Sequence, residues 1–302
     1  MSVELADIRI VPKPWGSHDL RPWGRISRKD TAIGELWFRR FNETAPEPAL
    51  LLKLLFTTQN LSIQVHPDDS HAQSMGLKNG KTEAWYILSN EQDAEIALGL
   101  KETLTPADLR GAIEDGSIVD RVAWRPARAD DVIFVPAGTI HAIGAGLVVA
   151  EIQQSSDTTF RLFDYGRQRP LDIQNAVLVA RPGPVGDQAA RRRLSDARTL
   201  LLCTDFFVLE RLDLPALSHW DLHATRETWI LVLAGAIRTG SIAADTGEAL
   251  FLEDDHALID VGAVGARCLL AHVGTQPDPC LLHRIGSPVA EFPPMQLMEA
   301  LS

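Results

Sequence analysis

The chain has 302 residues, 45% apolar and 23% charged, with a formal net charge of −11. That length holds one large or two modest domains. The acidic balance excludes a general nucleic-acid partner, which needs a basic face, but leaves a phosphorylated small molecule open, since a few local cations suffice for one. Cys203, Cys268 and Cys280 are too few and too scattered for a disulfide framework and form no CxxC, which suits a reducing cytoplasm. The opening Met1-Ser2-Val3-Glu4 carries no apolar signal core. No apolar run approaches the ~18 residues of a membrane span, so no membrane partner is expected.

Residues 1–30 combine Pro12, Pro14, Gly16, Pro22 and Gly24 with Trp15 and Trp23, an ordered and non-helical lead-in. Residues 34–38 read as a strand. Residues 49–56 are an apolar run broken only by Lys53, the mark of a buried strand. In the next strand, 61–66, Ser62, Gln64 and His66 alternate with Leu61, Ile63 and Val65. Side chains two apart share a face, so a hydroxyl, an amide and an imidazole line one wall and the apolar residues the other. Pro67 ends the strand. Lys81 and Glu83 repeat the alternation in a second short strand.

A short helix over 68–75 takes Asp68 or Asp69 as its cap. A firmer one starts at Thr105, with Pro106 first and Asp108 third, runs into Ile113 and stops near Gly116. Strands are expected at 132–135, 147–153 and 159–165. Between the first two, Pro136-Ala137-Gly138 makes a chain reversal that places His141 at the start of a strand facing inward. A helix over 172–180 leads to the Pro/Gly segment 181–187, the clearest boundary in the chain, and Arg191, Arg192 and Arg193 form a solvated face beyond it. Short strands at 206–212, 228–233, 249–252, 257–261 and 268–272 complete a β-sandwich or barrel.

Gln64-x-His66, then Glu83, then Pro136-x-Gly138-x-x-His141 resembles the two-part motif of the cupin superfamily, which holds a divalent metal in a small β-barrel. Two imidazoles, a carboxylate and an amide oxygen make a mixed N/O set that suits Zn2+, with Mn2+, Fe2+ and Co2+ also open. No cysteine lies near, so a closed thiolate site is not expected.

The segments LSIQVHPDD, GKTEAWY, PAGTIHAIG and EIQQSSDTTFRLFDYGR, with Trp15-Gly16 and Gly34-Glu35-Leu36-Trp37, are together similar to the type I mannose-6-phosphate isomerase family in its short bacterial form. The similarity is strong over residues 10–175 and faint beyond 195. It implies a mainly β fold: two cupin-like β-barrels of jelly-roll type with a few short helices, residues 1–180 forming the metal-binding catalytic domain and 181–302 a second, degenerate cupin-like domain.

The resemblance also implies metal ligands at Gln64, His66, Glu83 and His141, a catalytic arginine at Arg161 and an active-site lysine at Lys81. Phosphate contacts would fall on Ser62 and Arg167, and Glu151 and Asp157 match acidic positions near the reacting carbons. The chain departs from the family pattern at Ile143, an aromatic in some members. It also lacks the inserted helical domain of the larger enzymes and a second metal motif. His219, His223 and Glu227 have suggestive spacing but read as surface or core residues.

The implied activity is the metal-dependent interconversion of mannose 6-phosphate and fructose 6-phosphate in the cytoplasm, with the sugar phosphate as the partner and no oligomeric state indicated. Glu151, Asp157, a metal-bound water and Lys81 all stay open as the base. Two other readings stand beside it. A metal cupin oxygenase would use the same ligands with iron but leave Arg161, Arg167 and Lys81 without an anion to meet. A non-catalytic sugar-phosphate-binding cupin fits the degenerate second half.

Overall fold

The computed structural model describes residues 3–24, 30–42, 44–186, 188 and 190–286. Parts of the expected lead-in, of the 181–187 boundary and of the 181–302 domain lie outside these residues. Three antiparallel sheets carry the fold, two of them facing each other in the first part of the chain.

The first sheet runs, in spatial order, Asp7–Ser17, Ile33–Arg39, Leu50–Thr57, Leu147–Gln154, Glu83–Asn90 and Val132–Val135. The second runs Phe160–Phe163, Ile63–Val65, His141–Ile143, Glu95–Leu100 and Val122–Pro126. Both faces of the first sheet are covered. Leu52, Leu54, Ala84, Tyr86, Ala150 and Ile152 join one apolar cluster with Leu201, Phe207, Trp229, Leu231 and Phe251 of the third sheet. The opposite face of the same strands carries Lys53, Glu83, Trp85 and Glu151 toward the second sheet. This explains why 49–56 reads as a continuous apolar run: alternate residues serve two different interiors.

Within the lead-in, Glu4–Leu5 and Asp7–Ser17 are strands. Pro12 and Pro14 are tolerated because Asp7–Ser17 is an edge strand, and its register with Ile33–Arg39 breaks on both sides of Pro12. Helices occupy Asp69–Ser74, Pro106–Glu114, Ile118–Arg121 and Ile173–Val179. Asp68 and Thr105 cap two of them as expected, accepting from the amides of His71 and Asp108, and the Asp172 side chain caps another by accepting from the Asn175 amide.

The third sheet holds Glu4–Leu5, Ala249–Leu252, Thr228–Thr239, Asp255–Val273, Phe207–Leu214, Arg198–Cys203 and Arg192–Arg193 in that order. His219–Ala224, Leu282–Arg284 and Ile242–Asp245 are attached beside them. One expectation is corrected here. Residues 257–261 and 268–272 belong to one 19-residue strand, Asp255–Val273. Gly265 (φ 81°) bends that strand rather than ending it, and Gly235 fits against it only because a Cβ there would stand 2.0 Å from the Gly265 carbonyl. Glu4–Leu5 pairs with Ala249–Leu252, so the chain's opening residues add to the sheet of its second half.

Candidate active site

Ile63–Val65, His141–Ile143 and Phe160–Phe163 are neighbours in the second sheet, and Gln64 stands in register with His141 on one side and Arg161 on the other. Register partners share a face, so three polar side chains form a row. The Pro136–Gly138 turn fixes the row's end: Gly138, at φ 85°, donates its N–H to the His66 carbonyl at 2.8 Å.

His66 Nδ1 lies 2.8 Å from the Thr158 carbonyl and His141 Nδ1 2.9 Å from the Thr139 carbonyl. A carbonyl only accepts, so each Nδ1 carries the hydrogen and each Nε2 presents a lone pair. Those lone pairs meet across Glu83: His66 Nε2 is 3.5 Å from Oε2 and His141 Nε2 is 3.4 Å from Oε1. The three ligand atoms lie within 4.8 Å of one another, all buried. Burial, with Lys81 and the neighbouring ring adding to it, holds His66 well below its ordinary pKa, and burial takes His141 down to about 4. Both rings are therefore neutral, as metal ligation requires. His66 Nε2 is buried with no hydrogen-bond partner, an orphan that a divalent cation would satisfy. The residues fit the metal.

Gln64 presents its amide nitrogen, not its oxygen, to His141 Nε2 at 3.3 Å, while its Oε1 accepts from Ser62 Oγ at 3.1 Å. A half-turn of the amide would bring the oxygen into the ligand set. Lys81 precedes the Glu83–Asn90 strand rather than lying in it, and its Nζ sits 3.0 Å from Glu83 Oε2.

The Trp85 indole N–H is shared between Glu83 Oε1 at 3.1 Å and Glu151 Oε2 at 3.2 Å. Burial, reinforced by the Glu151 charge, pushes Glu83 up to about 7 against the pull of Lys81. Burial also works to raise Glu151, but Lys81 and Lys53 outweigh it and hold that carboxyl below its ordinary value. Two carboxylates in one dry site do not ionise as equals. Lys81 is likewise opposed by burial, yet Glu83, Glu151 and Asp157 raise it above the ordinary lysine range.

Above this floor opens a cleft whose walls include Ser62, Gln64, Lys81, Ile143, Glu151, Asp157 and Arg161, together with Lys13, Glu35, Lys53 and Arg169. Asp157, Thr159 and Arg161 reach it together, as their alternation predicts. Asp157 is drawn toward Lys53 at 3.9 Å rather than to Arg161, whose Nε is buried without a hydrogen-bond partner. Arg167 turns away: it contacts Asp164 at 3.2 Å and donates to the Asn60 carbonyl at 2.7 Å. Arg169 lines the cleft instead, with its Nε donating to Asp164 Oδ2 at 2.7 Å.

Lys53 is the residue that sequence reasoning left in the background. It is buried and donates to Gln153 Oε1 at 2.8 Å, sits 3.3 Å from Glu151 Oε1, and lies 4.5 Å from the centre of the Trp37 ring. Its one signal is a lone cation inside an apolar strand.

No family model matches the chain. A mannose-6-phosphate isomerase of Streptococcus mutans is 38% identical over 165 residues, covering 52% of this chain and 52% of that relative. The mannose-6-phosphate isomerase ManA of Bacillus subtilis is 46% identical over 140 residues, 43% of each chain. Over these segments the chain is similar to mannose-6-phosphate isomerases. It spans about half the length of the curated isomerases it matches. The likeness of fold extends further. A mannose 6-phosphate isomerase structure from Bacillus subtilis aligns with TM-score 0.79 at 23% identity, over 90% of this chain and 100% of that one. A putative mannosephosphate isomerase from Archaeoglobus fulgidus aligns with TM-score 0.71 at 16% identity, over 90% and 98%. The mainly β, jelly-roll architecture is thus shared with these isomerase structures.

Proposed function

We propose that the chain is a metal-dependent aldose–ketose isomerase interconverting mannose 6-phosphate and fructose 6-phosphate. One observation carries the reading: two neutral imidazoles and a carboxylate converge at the floor of a cleft walled by Lys81, Glu151, Asp157 and Arg161. His66, Glu83 and His141, joined by a turned Gln64, would hold the metal, and the N/O donor set favours zinc. When bound, the cation supplies Lewis-acid stabilisation of the negative charge that develops on the sugar oxygens as a proton moves between C1 and C2.

The protein's own groups do the rest. Glu151, its two oxygens fixed by Lys53 and Trp85, and Asp157 at the mouth are the carboxylates placed to take a proton from one carbon and return it to the next. Arg161, a cation that keeps its proton, faces the oxygens where charge develops. Lys81 donates to a sugar oxygen. Ser62 and Arg169 meet the phosphate, a role that falls to Arg169 because it lines the cleft while Arg167 donates to the Asn60 carbonyl outside it.

We assign catalysis to residues 1–180. Residues 181–302 complete the fold, since their apolar face closes the first sheet from behind. No helix among the described residues is long and apolar enough to cross a membrane. With three unpaired thiols, the cytoplasm is the compartment this reading favours.

The test is fructose 6-phosphate formation by protein stripped with a chelator and then reloaded with zinc. Activity should vanish on stripping and return on reloading, and unphosphorylated mannose should be a far poorer substrate, because a remote phosphate contributes binding energy used in the transition state. Full turnover by metal-free protein, or equal kcat/KM for mannose and its 6-phosphate, would overturn the assignment.

A further inference from the structure

The second half carries a cluster outside the cleft. His219–Ala224 pairs antiparallel with Asp255–Val273, and His223 stands directly opposite His256. Register partners share a face, and Asp221, two residues before His223, shares it too. His223 Nε2 lies 3.0 Å from Asp221 Oδ2, and His256 Nε2 contacts Asp221 Oδ1. The two rings are tilted at 54° with centroids 4.6 Å apart. All three ligand atoms fall within 4.8 Å of one another.

We propose that Asp221, His223 and His256 form a second divalent transition-metal site, of zinc class, distinct from the site in the first half. Ligand atoms held at ~2.0–2.1 Å from a tetrahedral ion stand roughly 3.4 Å apart. The Asp221–His223 separation of 3.0 Å is near that spacing, as are the 3.4 and 3.5 Å separations around Glu83. Two imidazole nitrogens and one carboxylate make a mixed N/O set that selects zinc, nickel or cobalt over magnesium or calcium. The His223 and His256 side chains are 48% and 50% exposed, so an ion reaches them directly from solvent. His283 stands in register with Asp221 on the next strand and brings a further imidazole to this edge. A bound ion would clamp His219–Ala224 to Asp255–Val273. Spacing alone does not reveal the site, because His256 is contributed by a strand more than thirty residues away in the sequence.

The test is metal stoichiometry on the full chain, made metal-free and titrated with Zn2+, with the bound ion counted by elemental analysis after buffer exchange. Wild type should retain about two equivalents, and His223→Ala, His256→Ala and Asp221→Asn about one each. Co2+ titration gives a second readout: the absorption bands of the second equivalent should be missing from all three variants. None of these residues touches the cleft, so turnover should be unchanged, and the count of ions stands whether or not the chain proves to be an isomerase. The deciding result is the difference of one equivalent between wild type and variants: His223→Ala and His256→Ala proteins that bind as many equivalents as wild type overturn the proposal.

Discussion

Lys53 and Glu151 face each other in register on adjacent strands, both buried, with Nζ 3.3 Å from Oε1. The same row continues to Trp37 beyond Lys53 and to Trp85 beyond Glu151. A cation and an anion thus stand between two indoles in the wall of the cleft. Removing one partner of a buried pair strands the other. Lys53→Met should destabilise the protein by on the order of 3 kcal/mol and lower kcat by about 10². Adding Glu151→Gln to Lys53→Met should restore much of the stability, since neither charge is then left alone, while activity stays low. Urea midpoints for the single and double variants, beside their kcat values, check both halves. A Lys53→Met protein of normal stability and turnover would remove the pair from the account.

Arg161 separates structure from mechanism more cleanly. Among the described residues no ion pair holds it, and burial, helped by the nearby Arg169 charge, shifts its pKa downward. Arg161→Ala therefore breaks no pair, and stability should stay within ~1 kcal/mol of wild type. The loss should appear as a 10²–10³-fold drop in kcat, with KM changing less, on the order expected for one preorganised contact to developing charge. Arg161→Lys should recover little, because a point charge on a flexible stem does not reproduce a planar fork. Near-normal kcat in a zinc-loaded Arg161→Ala enzyme would sink this role.

The His66, Glu83 and His141 group was legible in part because strand alternation and the Pro136–Gly138 turn are local signals. Spacing put Ser62, Gln64 and His66 on one wall and the turn pointed His141 inward, while the ligand set itself came with the family resemblance. Lys53 was not legible in the same way: a cation in an apolar run marks burial but not the interior it faces. Arg167 and Arg169 lie after the Phe160–Phe163 strand has ended, where no period says which guanidinium turns inward. The fold followed the same rule. The cap at Thr105 gave a helix start, whereas the stretch between 261 and 268 read as a break because a bent long strand and two short ones share one glycine pattern.

Acid should loosen the second half through His272. Burial lowers its pKa, the Arg226 charge acts in the same direction, and the Val273 carbonyl, Glu210 and Asp278 oppose them. The folded ring therefore stays neutral at pH values where the unfolded ring, at ~6.5, takes up a proton. The unfolded state then binds more protons, so the contribution is complete above about pH 6.5 and is lost as pH falls toward the folded value. The slope approaches ~1.4 kcal/mol per pH unit at most for one proton. His272→Gln should keep a donor for the Val273 carbonyl and flatten the pH dependence of the urea midpoint below about pH 6.5. Superimposable profiles for wild type and variant would exclude His272 as the source.

Glu227 joins the two halves. Its carboxylate accepts from the backbone amides of Ala49 at 2.6 Å and Leu50 at 2.8 Å, and from the Trp229 indole at 3.1 Å. The residue is buried, and burial raises its pKa despite those three donors. In Glu227→Ala all three lose their acceptor, and each buried orphan costs about 1–3 kcal/mol. A loss of ~3 kcal/mol or more is expected for Ala. Glu227→Gln should lose less, because one oxygen remains to accept while its new amide hydrogens face donors. The effect should also reach the cleft. Leu50 begins the strand that carries Lys53 three residues later, so loosening its start lets the Lys53–Glu151 row shift. Glu227→Ala should therefore lower kcat severalfold below the value set by its folded fraction, whereas Glu227→Gln should stay closer to wild type. Urea titration gives the folded fraction, and the assay is run at a temperature where both variants are folded. Loss of stability with fully normal kcat per folded molecule would show that the joint holds the halves together without positioning the site.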